Sequence, residues 1–379
     1  MPLCLGSLPA TGLLELVHAT SARALAAGTL APIATTTSVH PDSGIPFLLH
    51  TLSGPRKPTA REPTAPARAP QPGSTPKKRF NPFLPYEPSL FVAAAPPAHV
   101  VLLNKFPVVA DHLLLVTSAY EAQSSLLTAA DLNAAWAVLA EVDGLAFYNA
   151  GGMAGASQHH KHLQVVPTPL ARLEGGAGQG NGDADGGDSG GDGGGRTPVE
   201  AALRASASAT KCGDLYTVGA FPFAHAACRV DDIPHRSSGD GVDAGAVLME
   251  RYTRMLHTFL RDIPGLAEAG DAAGGGAADV DETPATAVAD ADAQPGIDDD
   301  GAPWPSRPIA GGRSPFPYNL LLTREHLWVV PRRAECVGDV SLNSLAYAGA
   351  MLVRDAAQAE AVLEGGGVAA LAACAFPRS

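Results

Sequence analysis

The chain has 379 residues, with 26 Lys and Arg against 38 Asp and Glu, a formal net charge of −12 and a pI near 5.4. That balance argues against nonspecific binding to nucleic acid or to an anionic membrane, both of which need a cationic surface. The 5 cysteines (Cys4, Cys212, Cys228, Cys336, Cys374) are scattered and lack a C-x-x-C pair, which speaks against a disulfide framework or a thiolate zinc site and suits a reducing compartment. No apolar run approaches transmembrane length.

In chain order, Leu14, Val17, Ala24 and Leu25 recur at helical spacing, with small Ser21 in the gap, and predict a helix over 13–27 ended by Gly28. The same region, poor in acids, passes only weakly for a transit peptide. Strands are predicted at 35–40 and 45–52 around the turn Pro41-Asp42-Ser43-Gly44. Residues 53–78 are rich in Pro, Thr, Ala and basic side chains without a hydrophobic period, and read as a mobile loop. Prolines and aromatics at 79–86 suggest a rigid extended segment. Further strands are expected at 91–92, 99–106 and 111–117. Thr128 and Asp131 form a capping-box pair opening a helix whose buried stripe is Leu132, Trp136 and Leu139. Residues 145–149 read as a strand entering a glycine-rich loop, and 157–166 as its hairpin partner.

Residues 174–196 and 266–306 are dominated by Gly, Asp and Ala, cannot bury enough apolar surface to offset their ordering entropy, and are predicted to be disordered inserts. Between them lie a predicted strand within 216–230 and a helix over 244–262, with Val247, Tyr252, Met255, Leu256 and Phe259 facing a core. Strands follow at 320–323 and 327–330, then helical stretches at 342–353 and 356–363. The divisions are therefore 1–173, the insert 174–196, 197–265, the insert 266–306, and 307–379. Without low-complexity sequence about 290 residues are left, the size of one large α+β domain.

The chemistry concentrates at Ser157-Gln158-His159-His160-Lys161-His162-Leu163-Gln164-Val165-Val166. On a strand, His160, His162 and Gln164 share one face while Leu163 and Val165 point to the other. His159 and Lys161 are then expected to face away from the imidazole pair. Three readings stay open from spacing alone. The imidazoles are catalytic, or they hold a metal with His112, His225 or His326 as further ligands, or they are structural. Asn149 and the small loop Gly155-Ala156-Ser157-Gln158 offer backbone donors to an anion, and Asn104-Lys105 offers a point charge. A neutral imidazole beside such a cradle is able to attack phosphorus, with Gln164 donating its amide to a phosphate oxygen.

These residues resemble a known family. Phe147-Tyr148-Asn149 through Gly155-Ala156-Ser157-Gln158 and His160-Lys161-His162-Leu163-Gln164 are similar to the diadenosine tetraphosphate phosphorylases (ATP adenylyltransferases), a branch of the histidine-triad superfamily related to galactose-1-phosphate uridylyltransferase. Arg79-Phe80-Asn81-Pro82-Phe83, Leu102 to Val109, Asp111 to Thr117, Pro222 to His225, Pro317 to Thr323, Val329 to Arg332 and Leu342 to Gly349 extend the likeness over nearly all of the chain outside the inserts.

The resemblance implies a histidine-triad-like antiparallel β-sheet with flanking helices. It implies a nucleotidyltransferase that cleaves diadenosine tetraphosphate with inorganic phosphate to ATP and ADP, reversibly, with adenosine 5′-phosphosulfate as a further substrate in some members. His162 would be the nucleophile that carries AMP, Gln164 would steady the α-phosphate and His160 would support them. Asn149, Gly155, Ala156, Ser157 and Gln158 would hold ribose and phosphates. Asn104 and Lys105 would contact the nucleotide, Pro317, Tyr318 and Asn319 would close the pocket, and Lys57 would contact phosphate. Mg²⁺ or another divalent cation would travel with the polyphosphate. The chain departs from the family at His159, where proline is common, at Pro317, where serine is common, and in the loop 149–153. These changes bear on loop rigidity and substrate preference. The expected partners are small-molecule nucleotides, with no nucleic acid and no membrane, on a monomer or homodimer. The expected compartment is the cytoplasm, with nucleus or plastid as alternatives. The competing readings are a weakly active dinucleotide sensor and a hydrolase in which water resolves the intermediate.

Overall fold

The computed structural model describes residues 12–54, 80–170, 196–235, 242–266 and 312–378. Lys57, Arg79 and nearly all of both predicted inserts lie outside them. Strands β1 (Thr35–Asp42), β2 (Ile45–Leu52), β3 (Phe91–Ala95), β4 (His99–Leu103), β5 (Leu113–Thr117), β6 (Gly144–Ala150), β7 (His162–Pro167), β8 (Ala226–Arg229), β9 (Tyr318–Leu322), β10 (His326–Pro331), β11 (Cys336–Val337), β12 (Val340–Ser341) and β13 (Ala350–Val353) build three sheets. The largest has eight antiparallel strands in the order β3-β4-β5-β7-β6-β9-β10-β8. The C-terminal strands β9 and β10 thus extend the same sheet that carries the His-x-His segment, through pairing of β9 with β6. The fold is α+β, as expected.

The central strands are apolar on both faces because both are covered. One face, with Leu163, Val165, Ala146 and Tyr148, packs against helices α1 (Gly12–Ala26), α2 (Ala129–Glu141) and α4 (Ala244–Asp262). The other, with Phe147, Val166, Leu321 and Trp328, packs against α3 (Glu200–Ala207), the small sheet β1-β2-β13 and the C-terminal helices 356–364 and 367–374. Leu163 and Val165 therefore point to a core on the face opposite the imidazoles, as alternation requires.

Several local expectations hold. The capping box joins Thr128 and Asp131, and Leu132, Trp136 and Leu139 are buried. The first hairpin turns through Ser43 (φ 52) and Gly44 (φ 78), the pair of positive φ values that matches strand twist in a two-residue loop. In α4, Tyr252, Met255, Leu256 and Phe259 are buried, with Leu248 and Arg251 joining them and Val247 only partly covered.

Others are corrected. The buried stripe of α1 is Leu13, Val17, Thr20 and Ala24, while Leu14 and Leu25 are 40% and 49% exposed. The helix packs on β3, β4 and α2, and that tertiary surface rotates the buried face past the purely apolar one. Residues 342–353 are not one helix: a single turn at Ser344–Tyr347 gives way to β13, which pairs parallel to β2. Gly349, at φ +94 and with its α-carbon hydrogens against the Pro198 ring, breaks the helical run there. The strand predicted at 157–166 begins only at His162. Lys161, expected to face away from the imidazole pair, is fully buried, paired with Asp131 of α2 at 2.6 Å and with Glu121 at 3.0 Å.

Candidate active site

His160 and His162 come to one face, both against the ring of Phe83 at 5.7 and 5.3 Å between centroids. His162 Nδ1 lies 2.8 Å from the carbonyl oxygen of His160. A carbonyl only accepts, so Nδ1 carries the proton and Nε2 presents its lone pair. Among the described residues nothing hydrogen-bonds Nε2. Burial is the main cause that holds the His162 pKa down to about 4, so the ring is neutral and nucleophilic at ordinary pH.

His160 has no ring nitrogen left for a substrate. Phe83 N donates to Asn81 Oδ1 at 2.9 Å, which orients the Asn81 amide so that Nδ2 donates to His160 Nδ1 at 3.0 Å. His160 Nε2 then donates to the Thr117 carbonyl at 2.9 Å. His160, expected to support His162, therefore reaches it through its backbone: its carbonyl oxygen fixes the His162 tautomer.

The same logic runs through the neighbouring strands. Phe106 N donates to Asn104 Oδ1 at 3.1 Å, Asn104 Nδ2 faces His112 Nδ1 at 3.2 Å, and His112 Nε2 lies 2.9 Å from Gln164 Oε1. Starting from the backbone N–H, every donor and acceptor is determined, and Gln164 is left with its NH₂ group for an anionic oxygen. Asn104 therefore acts through His112. The His112 pKa is also lowered to about 4, first by burial, although its bond to Gln164 works the other way.

The Asn149 and Asn319 side chains are joined across the β6–β9 seam. Asn149 Oδ1 accepts from Asn319 Nδ2 at 2.8 Å, from Ser344 N at 3.0 Å and from Ser344 Oγ at 2.7 Å. Asn319 Oδ1 accepts from buried Arg332. Both asparagines are buried, at 2% and 0% exposure, so they brace the floor of the site; Asn149 Nδ2 is the amide nitrogen that makes no hydrogen bond among the described residues. Tyr318 is corrected: it lies in the opposite core, its hydroxyl 2.6 Å from that of Tyr252. The loop reverses at Gly151 (φ +86) and Gly155 (φ +85). A Cβ on Gly155 would sit 2.8 Å from both Asn343 Cβ and Leu342 O, so glycine is required there. Ala156 is buried, Ser157 exposed and Gln158 half-buried. Lys105 is exposed and stacks over Phe106, and Pro317 is half-buried.

Reasoning from sequence missed Asn81, Phe83, His112 as a Gln164 partner, Thr117, Gln123, Ser344 and Arg332. An available signal was the repeated Asn-x-Phe of Asn81-Pro82-Phe83 and Asn104-Lys105-Phe106, an Asx-turn pattern that aims the amide nitrogen outward.

A metal held by His160 and His162 is disfavoured by the donor set, since three of their four ring nitrogens already bond the protein. His225 bonds Phe223 O and Val218 N with its two nitrogens. Among the described residues the cluster able to hold a cation is Glu200, Glu325 and His326, at the far end of β10 from Arg332, and Arg204 already bridges both carboxylates.

The antiparallel sheet and its flanking helices match solved structures. The crystal structure of yeast Ap4A phosphorylase Apa2 superposes with a TM-score of 0.63 at 21% identity, covering 97% of this chain and 98% of that one; Apa2 in complex with Ap4A gives 0.62 at 21% identity over the same shares. The fold is thus that of an Apa2-type α+β protein with the His-x-His segment on its central sheet. Residues 6–176 match the family model for the Ap4A phosphorylase N-terminal domain, and residues 219–377 that for the ATP adenylyltransferase C-terminal domain. The chain belongs to the Ap4A phosphorylase family. Among curated proteins it is 48% identical over 80 residues to diadenosine 5',5'''-P1,P4-tetraphosphate phosphorylase 2 of Saccharomyces cerevisiae, which is 18% of this chain and 25% of that protein. It is 43% identical over 79 residues to Protein APA1 of the same yeast, which is 19% of this chain and 25% of that protein. These matches span about a quarter of each relative's length.

Proposed function

We propose that the chain is a nucleotidyltransferase that cleaves diadenosine tetraphosphate with inorganic phosphate, through adenylyl-His162. The observation that carries the reading is the neutral His162 ring, held by Nδ1 on the His160 carbonyl with Nε2 unengaged. Family membership and the names of the yeast relatives support the substrate class. In the first step His162 Nε2 attacks the α-phosphorus, a P–N bond forms, the P–O bond to the bridging oxygen breaks and ATP leaves. Gln164 NH₂ steadies the charge on the phosphoryl oxygens. In the second, a phosphate oxygen attacks the same phosphorus, the P–N bond breaks, and ADP and free His162 result. Two displacements give net retention at phosphorus.

A divalent cation suits the ligand better than this protein site: the groups that converge on His162 are imidazole, amide and backbone, whereas Mg²⁺ prefers oxygen ligands and dehydrates reluctantly. The cation would be held by polyphosphate oxygens and would neutralise the leaving group. The same site admits the reverse reaction and adenosine 5′-phosphosulfate, since both present an α-phosphoryl group to His162. The test is incubation with labelled dinucleotide, phosphate and Mg²⁺. Formation of ADP and ATP, lost in His162→Ala, supports the reading. AMP in place of ADP identifies a hydrolase, and tight binding without turnover identifies a sensor.

A further inference from the structure

The β6–β7 ladder pairs from Gly144↔Pro167 to Phe147↔Gln164. Continued in that register, Tyr148 would face Leu163 and then Asn149 would face His162, backbone to backbone. They do not pair. The side-chain amide of Gln123 stands between them: Oε1 accepts from His162 N at 2.8 Å, and Nε2 donates to His162 O at 3.1 Å and to Asn149 O at 3.0 Å. Gln123 is 3% exposed. It is anchored through its own backbone, which donates to His159 O at 2.8 Å and accepts from the Tyr148 hydroxyl at 2.6 Å. Meanwhile β6 stays in register with β9 as far as Asn149↔Asn319 and Ala150↔Tyr318. β7 likewise stays in register with β5 as far as Val116↔His162, so the sheet opens only along the seam between β6 and β7.

We infer that Gln123 is a positioning residue, an inserted amide that splits the sheet at His162 and fixes the backbone from which the imidazole is aimed. Without it, the buried N–H and C=O of His162 lose the amide that partners them and Asn149 O keeps only the Gly151 N–H at 3.0 Å, or the strands close and Asn149 pairs directly with His162, which narrows the gap between the floor of the site and the nucleophile. The inference rests on the adenylyl-transfer reading for its kinetic consequence, and on the hydrogen bonds alone for its structural one.

Two variants of the full chain test it. Gln123→Met keeps length and bulk but supplies no hydrogen bond. Gln123→Glu, when neutral, still accepts from His162 N and donates one hydrogen bond; when ionised, it faces the two carbonyl oxygens of His162 and Asn149. The titratable residues bonded to Gln123 are His162, His159 through its backbone, and Tyr148. Neither the His162 ring nor the Tyr148 hydroxyl titrates near neutrality, since burial puts one at about 4 and the other well above 10.

In single-turnover adenylylation, Gln123→Met is expected to be about 100-fold slower at unchanged dinucleotide affinity, the size of effect that a displacement of about 1 Å produces. Hydrogen exchange of the His162 amide should accelerate at least about tenfold, because its acceptor is gone. Gln123→Glu should gain rate as pH is lowered from about 8 to about 6, where the parent is flat. If folded Gln123→Met adenylylates within about threefold of the parent and protects the His162 amide equally, the inference is wrong. If Gln123→Met does not fold, Gln123→Glu decides: a flat pH profile with unaltered His162 exchange overturns it. A parent that never forms adenylyl-His162 removes the proposed function, while amide exchange still judges Gln123.

Discussion

His112, the residue before β5, and Gln164, on the neighbouring β7, are joined by a 2.9 Å hydrogen bond in which the imidazole Nε2–H donates to the amide oxygen. The direction of that bond is set from the backbone of Phe106 through Asn104, and it decides that Gln164 keeps its NH₂ donors unspent on His112. Replacing His112 by Phe frees the Gln164 amide to rotate. Adenylylation should slow by about 10-fold to 100-fold, less than the 10²–10³ typical of deleting a transition-state donor outright, as in Gln164→Ala. Single-turnover rates of the two variants, with dinucleotide affinity measured in parallel, check the order.

The histidine tautomers are opposed. His162 should carry its proton on Nδ1, and His112 and His160 on Nε2. Long-range proton–nitrogen correlation spectra of ¹⁵N-histidine-labelled protein near neutral pH report this directly. A His162 ring protonated on Nε2 would contradict the assignment of the nucleophile.

Acid should destabilise the fold early. His112, His162, His225 and His326 are each pushed down to about 4 by burial. Between the ordinary histidine value of 6.5 and about 4 the unfolded chain binds protons that the native one refuses. Stability is therefore full above about 6.5 and is lost as pH falls through that window, by roughly 3 kcal/mol per imidazole at most. Urea unfolding at a series of pH values measures the slope. Over about pH 6 to 8 the adenylylation rate should show no histidine-like step, because the nucleophile is already neutral.

The buried Lys161 is tied to Asp131, which also accepts from His99 Nε2 at 2.7 Å and caps α2 through the Thr128 hydroxyl and backbone. Lys161→Met leaves a buried carboxylate with fewer partners and should cost about 3 kcal/mol of stability. The chemical-denaturation midpoint reads the loss. An unchanged midpoint would show that the pair contributes little.

Gly151 and Gly155 separate conformation from space. Both have positive φ, but an added Cβ meets nothing closer than 3.9 Å at Gly151 and backbone at 2.8 Å at Gly155. Gly151→Ala should cost about 1–3 kcal/mol from its backbone alone, since φ 86 with ψ 176 is a region essentially confined to glycine. Gly155→Ala should cost more and raise the KM for dinucleotide, since the loop must shift away from Leu342 and Asn343. Paired thermal melts and steady-state kinetics distinguish the two.

Much of the site was legible because its signals are local. Strand alternation puts His162 and Gln164 on one side and Leu163 and Val165 on the other, whereas His160, which precedes the strand, is placed by its own bonds to Asn81 and Thr117. The capping box at Thr128 and Asp131 and the two-residue hairpin at Ser43-Gly44 are likewise fixed by neighbours in sequence. Residues 342–353 misled because Ser344, Leu345, Ala346 and Tyr347 do form a turn of helix, and only the partner strand β2 makes 350–353 extended.

The sequence by itself gathered the groups that the proposed chemistry needs into one short segment: imidazoles at His160 and His162, an amide two residues on at Gln164 and a small-residue loop before them. Tertiary structure alone decided how each is used. His162 and His225 make the same bond from Nδ1 to the carbonyl two residues back, yet His225 Nε2 is saturated by Val218 N at 2.7 Å while His162 Nε2 is not. Lys161 is buried because Asp131 arrives from α2, and Tyr318 leaves the pocket because its hydroxyl meets Tyr252 from α4. These partners lie 30 residues or more away along the chain. Hydrogen-bond capacity is a property of the residue, but whether a given nitrogen is spent or free depends on which group the folded chain brings within about 3 Å of it.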